Sequence, residues 1–162
     1  MRGYVALGSN LGDRRAHLRA GLQGLGRRGL SPRALSSVWE TEPVDTAEPG
    51  WFLNMVAEVE TQLPPSAVLD LLLEVERDVG RVRSVRNAPR SLDLDLLLLG
   101  DLAVDGPRLT LPHPRMWSRR FVLAPLHELA PHLADPATGR TVARALAGLP
   151  PSPAARNVGP LL

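Results

Sequence analysis

Cysteine is absent from the 162 residues. That excludes disulfides, a thiolate metal site and a thiol nucleophile. Lysine is absent as well, and all 19 basic residues are arginine. A P-loop lysine, a Schiff base and a lysine general base are therefore excluded. Aromatic residues make up 4% of the chain, which is poor material for stacking nucleic-acid bases. No run of about 18 apolar residues occurs, so no transmembrane helix is indicated. The apolar stretch in the N-terminal MRGYVALGSN is too short for a signal peptide. A cytoplasmic location with no membrane attachment is the default expectation. The net charge of +2 does not suggest a nucleic-acid partner.

What is present suits one soluble domain with a real core, since 44% of the residues are hydrophobic. Residues 1–149 are expected to form that single domain. Pro150-Pro151-Ser152-Pro153 opens a C-terminal tail, 150–162, expected to pack little and to be poorly ordered. No internal repeat is visible.

Patterning gives an order of elements. Tyr4 to Leu7 is a short apolar run that reads as a first strand, followed by a turn over Gly8-Ser9-Asn10-Leu11-Gly12-Asp13. The turn reads either as an ordinary strand-to-helix connection or as a ligand-lining loop with Asn10 in it. Asp13 is a candidate N-cap for a helix marked by Leu18, Leu22 and Leu25. Leu35 to Trp39 reads as a second strand. Phe52 to Glu60 reads as a third, with Leu53, Met55, Ala57 and Val59 on one face and Phe52, Asn54 and Val56 on the other. Phe52 beside Asn54 fits two readings: a ring and an amide that hold a flat heterocycle, or a core ring beside a turn-bonding amide. Pro64-Pro65-Ser66 opens a helix with Ser66 as candidate cap, a stripe of Val68, Leu72, Val75 and Val79, and an end at Gly80. Leu109 to Leu111, Val122 to Leu129 and Thr141 to Leu149 read as a strand and two helices. The order strand, helix, strand, strand, helix, strand predicts an α+β, ferredoxin-like, antiparallel-rich sheet with helices packed on it.

The segment with the most chemistry runs from Gly80 to Gly100. Arg81, Arg83, Arg86 and Arg90 precede Leu92-Asp93-Leu94-Asp95-Leu96-Leu97-Leu98-Leu99. The second half reads as a buried strand. Asp93 and Asp95 then share one face, roughly 7 Å apart along the chain, while Leu94, Leu96 and Leu98 face a core. Two like charges on one face call for a positive group, either an arginine or a divalent cation. Mg²⁺ takes one or two carboxylates and completes its octahedron with water and substrate phosphates. Guanidinium groups bind phosphate oxygens in a bidentate fork. Acids beside arginines thus point to phosphoryl transfer; the other reading of Asp93-x-Asp95 is a solvated strand edge or a salt-bridged pair. Arg119 and Arg120 read as a solvated pair or as a second phosphate clamp.

The spacing Arg86-x-Ala88-Pro89-Arg90-x-x-Asp93-Leu94-Asp95-Leu96-Leu97 resembles the signature of the 6-hydroxymethyl-7,8-dihydropterin pyrophosphokinase family. Further motifs follow in that family's order: Gly8-Ser9-Asn10-Leu11-Gly12, Thr41-Glu42-Pro43-Val44, Phe52-Leu53-Asn54, Gly80-Arg81-Val82-Arg83 and Pro112-His113-Pro114-Arg115-Met116 with Arg119-Arg120-Phe121. The resemblance implies transfer of pyrophosphate from ATP to the hydroxymethyl group of the dihydropterin, with release of AMP, by a cytoplasmic monomer in folate biosynthesis. It implies that Asp93 and Asp95 hold two Mg²⁺ ions, and that Arg81 and Arg90 neutralise the phosphates. It implies ATP contacts from Glu76, Arg83, Leu96, Arg108, Thr110, His113 and Arg119. It implies that Phe52 and Phe121 sandwich the pterin, whose edge Asn54 and the backbone of Thr41, Pro43 and Val44 would read. The chain departs from the family at Asn87 and Ala88, where an aromatic and a glycine are common, and at Asp45, where glycine is frequent. A nucleic-acid module and an ATP-binding regulatory domain without chemistry are the competing readings.

Overall fold

The computed structural model describes residues 1–10, 12–42, 51–81, 91–151 and 153–162. Strand β1 (Arg2–Ser9) leads to helix α1 (Arg14–Arg27) and then to β2 (Ser31–Leu35), β3 (Trp39–Thr41) and β4 (Phe52–Glu60). Helix α2 (Pro65–Arg81) carries the chain back to β5 (Asp93–Leu99). A small hairpin of β6 (Val104–Asp105) and β7 (Thr110–Leu111) follows. Then come a 3-10 turn (Met116–Ser118), α3 (Arg120–Leu129), α4 (Val142–Ala147) and β8 (Ala155–Asn157). Among the described residues the main sheet runs β5-β1-β4-β3-β8, with β2 also on β4. Its pairs are antiparallel, which is the expected ferredoxin-like α+β order.

The sheet is buried on both faces. Against α1 and α2 it packs Val5, Leu7, Leu53, Met55, Ala57, Val59, Leu94 and Leu96. Against α3 and α4 it packs Tyr4, Val56, Leu97 and Leu98. The stripe Val68, Leu72, Val75 and Val79 is buried as its spacing predicts. The approach of α1 to the sheet is close: a Cβ on Gly21 would lie 2.8 Å from Leu92. Asp13 caps α1 by accepting the Ala16 N–H at 3.0 Å. Helix α2 begins at Pro65, so Ser66 lies inside it rather than capping it, and it runs one residue beyond Gly80.

Three expectations are corrected. The strand expected over Leu35 to Trp39 breaks into β2 and β3. The Ser36 hydroxyl accepts the Val56 N–H at 2.8 Å, and Val38 turns its backbone bonds to Val158 and Gly159 instead. Leu98 does not share a face with Leu94 and Leu96. The β1–β5 register shifts between Tyr4 and Val5, pairing Tyr4 with Leu98 and Val5 with Leu96. Leu97 is therefore the extra residue of a bulge, and a bulge flips the alternation beyond it. The tail packs well: β8 pairs with β3, Leu161 is only 5% exposed in the core, and Arg15 donates to the carbonyls of Val158 and Pro160. Apolar Val158 and Leu161 give that segment surface to bury, which its prolines conceal in the sequence.

Candidate active site

Small residues make the floor of the site. In β1, Ala6 pairs with Asp95 on one side and Val56 on the other, and Gly8 pairs with Asp93 and Asn54. Asp93, Gly8 and Asn54 thus form one row across three strands, on the face toward α3. The row requires glycine at its centre, because a Cβ there would stand 2.8 Å from the Asn54 carboxamide oxygen. Asn54 is 7% exposed, and its amide donates to the Thr41 hydroxyl at 2.9 Å. Thr41 pairs with Phe52 across β3 and β4. Burial and this bond fix the amide, as a group that reads a ligand edge must be fixed.

A cavity of about 450 Å³ stands on this floor. Phe52, Asn54 and Thr41 line one side, Asp93, Asp95 and Glu76 the other, and Phe121 with Arg119 comes from the α3 side. The Arg119 guanidinium lies 5.4 Å from the Phe121 ring centroid, within cation–π range. Leu69 and Leu73 of α2 and Pro153 of the tail complete the wall. The Glu76 carboxylate accepts the Leu94 N–H at 3.1 Å, between the two aspartates. It therefore holds the start of β5 in place.

A second cavity of about 240 Å³ adjoins the first and shares Leu69, Leu94 and Asp95 with it. Leu96, Arg108, Thr110 and His113 line it. The bulge positions His113: the Leu97 carbonyl, displaced from the ladder, accepts the His113 N–H at 2.9 Å. Burial pushes the His113 imidazole below its ordinary range; Asp95 opposes this, while Arg119 and Arg115 add to it. The Arg115 N–H donates to His113 Nδ1 at 3.2 Å, so the neutral ring carries its proton on Nε2. Arg108 pairs with Asp70 at 2.8 Å at the surface.

The structure therefore groups the expected residues in two sets that meet at Asp95. Arg119, expected near ATP, lines the larger cavity. Arg120 lines the larger cavity beside it; its Nη2 donates to the carbonyls of Leu149 and Pro150 at 3.3 and 2.5 Å, and its Nε is buried without a hydrogen-bond partner among the described residues. Pro43, Val44, Arg83, Arg90 and the side chain of Arg81 lie outside the described residues, as do Asp45, Asn87 and Ala88. Sequence reasoning missed Ala6, Leu69, Leu73 and Pro153, and it read Gly8 as a turn. Two small residues at positions i and i+2 of one strand were the available signal for the floor.

The donor set fits magnesium. Two half-buried carboxylates stand on one strand face above small residues. Among the described residues no third acid or histidine joins them in a cluster. Two carboxylates supply only part of an octahedron, and water and phosphate oxygens would supply the rest, as Mg²⁺ prefers.

Comparison with known proteins gives one consistent answer. Residues 4–131 match the model of 7,8-dihydro-6-hydroxymethylpterin-pyrophosphokinase (HPPK). A 2-amino-4-hydroxy-6-hydroxymethyldihydropteridine pyrophosphokinase of Bacillus subtilis (strain 168) is 42% identical over 136 residues, covering 83% of this chain and 81% of that protein. One of the same name from Pseudomonas aeruginosa is 43% identical over 150 residues, covering 92% of each chain. In fold, the chain resembles a crystal structure of Plasmodium falciparum HPPK-DHPS with a TM-score of 0.71 at 12% identity; 90% of this chain is covered, and it spans 42% of that longer one. Matched over most of its length by the family model and by relatives above 40% identity, the chain belongs to the HPPK family.

Proposed function

We propose that the protein transfers pyrophosphate from ATP to the hydroxymethyl group of 6-hydroxymethyl-7,8-dihydropterin, releasing AMP, in folate biosynthesis. The position of Asp95 carries this reading. It stands where a cavity with two rings and a fixed amide meets a cavity with Arg108, Thr110 and His113. A flat heterocycle suits the first and a nucleotide the second, so the reacting groups would meet at the carboxylates.

Transfer of this kind asks the protein mainly for position and charge neutralisation. Mg²⁺ held by Asp93 and Asp95 would supply charge neutralisation at the phosphate oxygens. Phe52 and Phe121 sandwich the pterin, while Asn54 and Thr41 orient its edge. Glu76 keeps Asp93 and Asp95 aimed by tying down Leu94. His113 offers its Nε2–H to the nucleotide as a neutral donor. Arg81 and Arg90 stabilise charge that develops on the bridging oxygen, and Arg83, Leu96, Arg108, Thr110 and Arg119 contact ATP. No side chain is assigned as general base. The ordered set of family motifs supports two Mg²⁺ ions, a monomer and a cytoplasmic location. We read the whole chain as one pyrophosphokinase domain, since the tail adds a strand and a core leucine.

The deciding experiment mixes the protein with ATP, Mg²⁺ and the hydroxymethyl dihydropterin and identifies the nucleotide released. AMP is expected; ADP or no product refutes the reading. Counting Mn²⁺ by electron paramagnetic resonance, with a non-hydrolysable ATP analogue bound, tests the ion number. Two per chain are expected.

A further inference from the structure

The C-terminal segment reaches the active site in a way the reaction does not by itself require. Pro153 forms part of the wall of the larger cavity, beside Thr41 and Glu42. Its neighbour Ala154 is fastened to Glu42 twice. The Ala154 N–H donates to the Glu42 carboxylate at 3.2 Å, and the Ala154 carbonyl accepts the Glu42 N–H at 3.3 Å. Beyond it, Arg156 pairs across β3 with Glu40. The Arg156 guanidinium binds the Glu40 carboxylate at 2.5 Å and lies 5.5 Å from the ring centroid of Trp51. On the other side of Glu40, Arg14 of α1 binds the same carboxylate at 3.2 Å and also donates to the Trp51 carbonyl.

Glu40 directly precedes Thr41, and Trp51 directly precedes Phe52. Thr41 and Phe52 are the paired residues at the ends of β3 and β4 that line the cavity. Side chains alternate along a strand, so Glu40 takes the face opposite Thr41, behind the cavity. One cation from the tail thus grips the residues just behind both members of that pair. We propose that Arg156 is a positioning residue for the dihydropterin: through Glu40 and Trp51 it sets Thr41 and Phe52, while the strand it belongs to holds Pro153 in the cavity wall. Nothing in this arrangement reaches Arg108, Thr110 or His113, which lie on the far side of Asp95. Arg156 therefore acts on one substrate and not on the other.

This proposal rests on the assigned reaction, and its test separates the two. Removing the whole tail would strip Leu161 from the core, so point variants are used. Arg156 is exposed, and Arg156→Ala leaves Leu161 docked. Steady-state kinetics of Arg156→Ala and Pro153→Gly should show KM for the dihydropterin raised about two- to fivefold, in the range expected when one exposed ion pair is lost. KM for ATP and kcat should stay within about twofold. Arg156→Lys keeps the charge but loses the flat group over Trp51 and should fall between. An unchanged dihydropterin KM in Arg156→Ala overturns the proposal, whatever Pro153→Gly does. Equal rises in both KM values also overturn it, because the tail would then merely support the fold. A wild-type protein that releases no AMP defeats the assigned reaction instead.

Discussion

The two cavities that meet at Asp95 are made of different material. The larger stands on the sheet itself: Ala6 and Gly8 of β1, Asn54 of β4 and Asp93 of β5 are neighbours in register, and α2 and α3 wall it. The smaller is walled by the β6–β7 hairpin and the loop after it, which carry Arg108, Thr110 and His113. The first is shaped by regular pairing and presents rings, an amide and leucines. The second depends on a bulge, and it presents a surface arginine, a hydroxyl and an imidazole. A scaffold of this kind can hold a rigid heterocycle by shape and a flexible charged chain by scattered polar contacts. The division predicts which substitutions harm which substrate.

Removing the residue common to both sides should have the largest effect. Asp95→Ala is expected to lower kcat by more than about 100-fold, since even outer-shell partners of a metal site cost 10- to 100-fold. The half-buried position should tolerate alanine, so circular dichroism should be unchanged. Activity close to wild type would show that the cavities do not share a reacting centre. Next in size comes Gly8→Ala. The new methyl group would push into the Asn54 carboxamide, which is buried and bonded to Thr41. KM for the dihydropterin should rise about tenfold, the upper end of what one weakened hydrogen bond is worth, with KM for ATP little changed. An equal effect on both substrates would erase the distinction between the cavities. On the other side, Arg108→Ala should raise KM for ATP only about threefold, because the arginine is exposed and already paired with Asp70. A change in dihydropterin KM instead would reverse the assignment of the two cavities.

The same contrast explains what the sequence reveals. Alternation in Phe52 to Glu60 places Phe52 and Asn54 on one face, and Asp93-x-Asp95 places both acids on one face. Regular strands obey period two, so the larger cavity is legible. Leu96 to Leu99 contain no polar marker, so nothing in four leucines locates the bulge at Leu97. The placement of His113 depends on that bulge and was accessible only through the family motif. Likewise Ser36 gives no sign that its hydroxyl will replace a backbone partner and split a strand. Pro153 and Arg156 lie in a stretch whose prolines suggest disorder, while its anchors, Val38 and Glu40, stand over 100 residues earlier. Contacts so distant in sequence leave no local pattern.

The smallest expected effect concerns the back of the larger cavity. The hydrogen bond from Arg156, aided by Arg14, holds the Glu40 carboxyl below its ordinary value, although partial burial opposes this. An ordinary glutamate titrates near pH 4.3. With the folded value depressed, the unfolded chain takes up a proton at higher pH than the folded one. Glu40 therefore stabilises the fold above about pH 4.3, and its contribution is lost as the pH falls through the lowered folded value. Arg156 is 70% exposed and Arg14 30% exposed, so solvent screening keeps the contribution near 0.5–1 kcal/mol. Glu40→Gln should thus lower the urea midpoint at pH 7 by a small amount, and the gap from wild type should close as the pH is taken from 5 to 3. The dihydropterin KM at pH 7 should rise as it does in Arg156→Ala. Parallel stability curves across that range would mean that the Arg14–Glu40–Arg156 cluster is not coupled to folding. The tail would then be held by its backbone pairing, Leu161 and the hydrogen bonds from Arg15 and to Glu42.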